Sequence, residues 1–438
     1  MTDTQAAPTA VPAASAATGV AVVTGVSALA PGGIGTADFW DALLEARSGL
    51  GAVTRFAADG FPVRVVGEVA GPETVPGVDP RLAVQTDRWS QLAMVATDEA
   101  LHDAALDPAA LPPYDLGVIT ASSSGGNAFG QREIEALWSK GPRYVGPYQS
   151  IAWFYAATTG QLSIRHGMKG PCGVLVAEQA GGLDAIGQAR RTVLRGDARV
   201  VLTGGTEAPL SPYALTCQLA SGLLSPGADP QRAYLPFDEA ATGHVPGEGG
   251  ALLLVEDAGQ AAARGAPRPY GEIAGYAATF DPPPGVRPGG GPTALRRAVE
   301  GALADAGATP GEVDVVFADA AGSPDLDRAE SACLAEVFGP RGVPVTAPKS
   351  LYGRLYAGGA PLDVVTALLA LRHQVIPPTS PYVTRAAAHP IDLVGRARPA
   401  RLRTALVVAR GYGGFNGAMV LRSTPPTDSH RIPKGRVR

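Results

Sequence analysis

A helix-strand-loop unit occurs twice in this chain, and the repeat limits the fold more than any other feature of the sequence. Ser90 to Leu106 is an Ala-rich stretch of helical character, Asp115 to Ile119 a short apolar strand, and Ser122 to Gly126 a loop of small residues. The same order and lengths return at Ala294 to Ala306, Val313 to Phe317 and Asp319 to Ser323. A second pair supports the first. Ala180 to Arg195 is a helix that opens with Gly-Gly and precedes the strand Val200 to Thr203 and Gly204-Gly205. Gly358 to Arg372 is a helix that opens with Gly-Gly and leads to the strand Ala405 to Ala409 and the turn Gly411 to Gly414. This alternation predicts an α/β chain built as two duplicated halves stacked on each other, meeting near Ala266 to Tyr270. Continuous apolar strands, Ala251 to Val255 and Ala405 to Ala409, predict sheets buried on both faces. Val20 to Val23 is expected as a strand that ends at Gly25, and Phe39 to Leu50 as a helix. Ile151 to His166 reads as one helix whose aromatic cluster, Trp153, Phe154 and Tyr155, suits either a core or a subunit interface.

With 438 residues the chain can form a large core. We divide it into a disordered leader (1–18), an N-terminal half (19–268), a C-terminal half (269–422) and a flexible basic tail (423–438) carrying Arg431, Lys434, Arg436 and Arg438. The leader is rich in Ala, Thr and Pro and lacks the basic start and apolar block of a signal peptide. The composition, 45% hydrophobic and 17% charged, is that of a soluble globular protein. A net charge of -4 gives no case for nucleic acid, and no apolar run approaches the roughly 20 residues that span a membrane. Cys172, Cys217 and Cys333 are too few and too scattered for a disulfide framework or a zinc site, and read as buried, reduced thiols of a cytoplasmic protein.

The segment Gly173 to Ala185 ends an apolar run, breaks sharply and starts a small-residue helix. A strand end at the positive N-terminus of a helix is where a nucleophile is presented and a thiolate stabilised. Here the position holds Gln179, whose amide cannot carry an acyl group.

Longer motifs make the comparison specific. Pro236-Phe237-Asp238 followed by Gly247-Glu248-Gly249-Gly250 resembles the central signature of β-ketoacyl synthases; Lys349-Ser350 with Gly353-Arg354-Leu355 resembles their lysine and second-histidine segment; Gly411 to Asn416 resembles their C-terminal glycine loop. The resemblance spans roughly Val20 to Arg422 and implies the thiolase fold, with the two duplicated α/β halves forming a layered αβαβα core. It also locates what has been lost. Active ketosynthases use a cysteine, two histidines and a lysine; by resemblance those positions are Gln179, Ala321, Arg354 and Lys349, of which only the lysine is kept. Val176 to Asp184, Leu326 to Glu330 and Gly353 to Gly359 are similar to the chain-length factor, the ketosynthase β subunit of type II polyketide synthases, in particular.

What the resemblance implies is a non-catalytic subunit with no cofactor and no metal, paired as a heterodimer with a ketosynthase α subunit and served by acyl carrier protein bearing malonyl and polyketide chains. Asn127, Gly130 and Ile134 share a helix face at i, i+3 and i+7, and matching residues in the family border a tunnel at the subunit interface and limit chain length; Phe129 and Trp138 are alternative stops. Cys172, Val174 and Val176, on the strand before Gln179, are expected at the interface with Trp153, Phe154 and Tyr155. Two alternatives stand beside this reading: a malonyl carrier-protein decarboxylase that uses Gln179, and a partner that only stabilises the α subunit. Losing one enolate donor typically costs about 10²–10³ in rate, which weighs against decarboxylation. Gln179 is otherwise expected to cap a buried helix and fill the place of the acyl-cysteine. Arg354 is expected in a buried or interface ion pair, and Lys349 as a relic paired with a carboxylate, Glu330 being the candidate.

Overall fold

The computed structural model describes residues 19–282 and 293–424; the leader and the tail from residue 425 onward lie outside them. In chain order the first half comprises β1 (Ala21–Val26), α1 (Arg88–Asp103), β2 (Leu116–Ala121), α2 (Asn127–Lys140), α3 (Ala157–His166), β3 (Cys172–Leu175), α4 (Glu178–Leu194), β4 (Val200–Glu207) and β5 (Gly249–Asp257). The second comprises β6 (Gly271–Phe280), α5 (Ala294–Asp305), β7 (Val315–Phe317), α6 (Pro324–Phe338), β8 (Pro344–Thr346), α7 (Gly359–His373), β9 (Thr404–Gly411) and β10 (Phe415–Arg422).

The repeat is a repeat of topology. The first half-sheet runs β1-β5-β4-β2-β3 and the second β6-β10-β9-β7-β8. In both, the central pairs β2/β4 and β7/β9 and the outer pairs β2/β3 and β7/β8 are parallel, while the remaining neighbours are antiparallel. The half-sheets join where β1 pairs with β6 at Val22↔Glu272 and Val23↔Gly271.

Helices α4 and α7 pack against each other and against strands of both half-sheets, while α1 covers β1, β4 and β5 and α5 covers β6 and β10. This is the layered αβαβα thiolase fold. The chemistry of the middle layer explains the Gly-Gly helix openings: a Cβ at Gly182 would lie 2.3 Å from Cδ of Pro361, so only glycine allows α4 to approach α7 this closely. Every residue from Gly359 to Leu371 is buried, and one of them, Asp363, is a charged group.

Two elements depart from the sequence reading. The stretch from Phe39 divides into a helix, Thr36–Leu44, and a strand that starts at Leu50 and pairs with Val65–Gly67. The aromatic helix also breaks, into Gln149–Ala152 and α3, with Trp153 to Ala156 between them. The Trp153 carbonyl accepts the Gly126 N–H at 3.2 Å, and the Ala157 N–H turns to Phe154 O at 2.8 Å, so the i→i−4 ladder cannot pass through. Among the described residues no helix is long and apolar enough to cross a membrane.

Candidate functional site

The β3–α4 junction makes the turn that a presented side chain needs. Glu178 opens α4 at φ +50, a left-handed conformation uncommon for a non-glycine residue and concentrated at functional sites. Gln179, next in the first turn, is fully buried. Its side chain does not cap its own helix. The amide Nε2 donates instead to Oδ1 of Asp319 at 2.9 Å, in the second half, and Oε1 is left without a partner.

Asp319 is the centre of a charged network. Its carboxylate also accepts the Arg410 N–H at 2.9 Å and faces Arg354 Nη1 at 3.3 Å from both oxygens. Arg354, itself buried, reaches Glu178 with Nη2 at 3.4 Å and donates to the Arg410 carbonyl. Burial works to raise the Asp319 carboxyl, yet Arg354, Lys349 and Arg410 together hold it below its ordinary range. Glu178 accepts the Tyr412 N–H at 2.9 Å, so the network also fastens the glycine turn after β9. The Arg354 guanidinium is thus matched by two carboxylates.

The loop holding Ala321 is pinned from α6. Glu330 accepts the N–H groups of Asp319 and Ala320 at 2.7 and 2.9 Å; Asp327 accepts those of Gly322 and Phe237 at 3.0 and 2.8 Å. Burial pushes both carboxyls up to about 7. Glu330 is therefore not the partner of Lys349. Lys349 Nζ lies 2.7 Å from Oδ2 of Asp363, whose other oxygen accepts the Tyr352 hydroxyl at 3.1 Å. A lone carboxylate in the apolar run of α7 must find a cation when buried, and that is the signal in the sequence that identifies the pair.

A cavity of about 540 Å³ opens beside the network, lined among others by Ser123, His244, Ala321, Arg354, Tyr356 and Tyr412; Gln179 and Lys349 do not reach it. Ala321 presents only a methyl group to the cavity. His244 and Tyr356 are the residues that sequence reasoning missed. Burial and the nearby Arg354 push the His244 imidazole down to about 3, so it is neutral at physiological pH. Its Nε2 lies 3.5 Å from the Tyr356 hydroxyl, which meets Gln218. His244 sits in a Gly-rich stretch with no periodicity to mark it. Among the described residues no cluster of ligating side chains suits a metal ion.

The remaining candidates lie beyond this cavity. Asn127, Phe129 and Gly130 are buried, whereas Ile134 and Trp138 on the same helix are exposed, Trp138 at 82%. Trp153, Phe154 and Tyr155 are each more than 40% exposed, and so is Val176. Strand β3 is a sheet edge, paired on one side by β2. The carbonyls of Pro171 and Leu175 point to β2, bonded to the N–H groups of Val118 and Ser122. By alternation the backbone groups of Cys172 and Val174 face away from the sheet. The sequence reading of three buried thiols fails for two of them: Cys333 is buried, but Cys172 is exposed on this edge and Cys217 on the cavity's rim.

The profile described as Beta-ketoacyl synthase, N-terminal domain, matches residues 20–261, and that described as Beta-ketoacyl synthase, C-terminal domain, matches residues 270–382. The actinorhodin polyketide putative beta-ketoacyl synthase 2 of Streptomyces coelicolor is 54% identical over 93% of this chain and 99% of its own length. The tetracenomycin polyketide synthase ketoacyl synthase beta subunit of Streptomyces glaucescens is 54% identical over 92% of this chain and 98% of its own. Among solved structures, a chain of AntDE:AntF, described as a type II PKS acyl-carrier protein in complex with its ketosynthase bound to the hexaketide, superposes with a TM-score of 0.84 at 26% identity, covering 93% of this chain and all of that one.

Proposed function

The chain belongs to the β-ketoacyl synthase family, and from that premise we propose that it is the β subunit, or chain-length factor, of a type II polyketide synthase, pairing with a ketosynthase α subunit and shaping the tunnel in which the polyketide grows. The observation that carries this reading is the replacement of the condensing machinery by a neutralised network. Condensation needs a thiolate nucleophile and donors for the enolate. At the nucleophile position Gln179 is tied to Asp319, at one histidine position Ala321 has no donor, and at the other Arg354 is shared between Asp319 and Glu178. The scaffold around them is intact, which is what a partner subunit requires.

The same geometry speaks against a decarboxylase built on Gln179. Its amide is fully buried, turned away to a carboxylate, and absent from the cavity wall where a malonyl group would sit. The α subunit would seat on the free β3 edge at Cys172, Val174 and Val176 and on the exposed Trp153, Phe154 and Tyr155. An unpaired edge with flanking aromatics is the kind of surface that a stable partner buries. Asn127, Gly130 and Ile134, with Phe129 and Trp138 as further stops, would border the tunnel. Acyl carrier protein would deliver the chain to the α subunit, in the cytoplasm.

Co-expression with the α subunit and carrier protein tests the proposal. A 1:1 complex that makes a product of defined length, and no condensation by this chain alone, is the expected result. A well-behaved monomer with no affinity for the α subunit would overturn it.

A further inference from the structure

Gly130 and the Trp153 indole share one slot. A Cβ built on Gly130 would lie 2.6 Å from Cδ1 of Trp153 and 3.3 Å from its Nε1. Ordinary carbon contacts are about 3.5–4.0 Å, so even a methyl group would push the ring away by about 1 Å. The Trp153 backbone cannot absorb that shift. Its carbonyl accepts the Gly126 N–H at 3.2 Å, its N–H donates to Gln149 O at 3.2 Å, and a Cβ at Gly125 would already lie 2.4 Å from the same carbonyl. Trp153 is 47% exposed, so its ring is not enclosed by the chain. Rotation about its side-chain torsions moves it outward, toward the surface where the α subunit would sit, at far lower cost than moving the backbone.

We propose that residue 130 acts on the tunnel indirectly, as a positioning residue for Trp153. With glycine the indole sinks against α2 and leaves the interface space open; with any side chain the indole swings out and narrows it. The inference rests on the chain-length reading above and deepens it by naming the group that moves. Trp153 is then the wall that a growing acyl chain meets, and the neighbouring Asn127 is fixed in place, its amide donating to Ser124 Oγ at 2.6 Å.

The test is a double-substitution cycle read by product mass in the assembled complex with the α subunit. Gly130→Ala alone should shift the product distribution to shorter chains by at least one extender unit. In a Trp153→Ala background, Gly130→Ala should shift nothing, because no ring remains to be displaced; Trp153→Phe, the milder change, should leave a reduced shift and serves in the same way if the alanine variant does not assemble. An equal shortening by Gly130→Ala with and without Trp153 would overturn the inference and give residue 130 a direct role. So would an active Gly130→Ala complex with unchanged products. Absence of complex or of any defined product length with the unsubstituted chain would instead count against the chain-length reading itself.

Discussion

Nε2 of Gln179 and Oδ1 of Asp319 are 2.9 Å apart, a hydrogen bond between positions 140 residues apart that ties the first turn of α4 to the Ala321 loop of the other half. It puts the Gln179 amide in the service of packing. Gln179→Ala should therefore leave elongation by the complex, and carbon dioxide release from malonyl carrier protein with the α-subunit cysteine blocked, close to the unsubstituted level. Stability should fall by about 1 kcal/mol, the loss of a bond to a carboxylate being offset by removal of the unpartnered Oε1. Gas release that vanishes with this substitution would reinstate the decarboxylase.

Arg354 carries more of the structure. It is the counterion of Asp319 and Glu178 and the donor to Arg410 O. Arg354→Ala leaves a buried carboxylate without its partner and should cost roughly 3–5 kcal/mol, read as a shift of the urea midpoint at constant slope. Arg354→Lys should recover only part, because a single ammonium cannot span both carboxylates in the guanidinium's geometry. If Arg354→Ala unfolds at the same urea concentration as the unsubstituted chain, the network is not structural.

Much of the fold was legible because it is periodic. Both helix-strand-loop units and the Gly-Gly openings of α4 and α7 are local patterns, and local patterns survive without coordinates. What escaped notice depends on contacts between distant segments. Nothing near Lys349 marks Asp363 rather than Glu330 as its partner except that Asp363 is alone in an apolar helix. The break at Trp153 was invisible because it is caused by a hydrogen bond from Gly126, not by a residue such as Pro or Gly within the helix. His244 enters the cavity from a loop with no pattern of its own, and Tyr356 from the single turn Tyr356–Gly358 inside the Gly353 to Gly359 motif, where nothing local marks it as a cavity residue. At Gln179 the position was correctly read as a strand-to-helix junction, but the direction of its amide belongs to the tertiary structure.

The Lys349–Asp363 pair is buried on both sides, at 2% and 1% side-chain exposure. Lys349→Met should destabilise by roughly 3–5 kcal/mol, whereas the double variant Lys349→Met with Asp363→Leu should recover much of that loss, since two apolar groups leave no stranded charge. A double-mutant cycle by chemical denaturation supplies the coupling. Strong coupling of Lys349 to Glu330 and none to Asp363 would contradict the geometry.

Glu207, at the end of β4, is fully buried with one oxygen on the Ser123 N–H. Burial pushes its carboxyl up to about 8 from an unfolded value near 4.5. Between those values the native chain keeps a proton that the unfolded chain has released, so this group lowers stability as pH rises and the effect levels off above about 8. Glu207→Gln mimics the protonated form and should gain on the unsubstituted chain through that window. His244, which acts in the opposite sense as pH falls below its unfolded value of 6.5, is common to both and cancels in the difference. Thermal unfolding of the two from pH 5 to 9 measures it, and a difference that stays flat with pH would show that Glu207 is ionised throughout.

The sheet edge offers a way to separate folding from assembly. Among the described residues the outward backbone of Cys172 and Val174 makes no ladder bond, since Pro171 and Leu175 supply the carbonyls that β2 uses. Proline at an outward position removes an N–H that only a neighbouring strand could use, and its ring obstructs that side, which is why proline is tolerated at free edges and excluded from paired ones. Val174→Pro should therefore leave the far-ultraviolet circular dichroism and the unfolding transition nearly unchanged while weakening the complex with the α subunit at least tenfold, a loss of about 1.4 kcal/mol of association. Val174→Thr, which keeps the N–H and the branched shape, should bind nearly as well as the unsubstituted chain. Titration calorimetry of the three proteins against the α subunit decides the matter. If Val174→Pro folds and binds with unchanged affinity, β3 is not where the subunits meet, and the exposed aromatic triplet at Trp153 to Tyr155 becomes the remaining candidate for the contact.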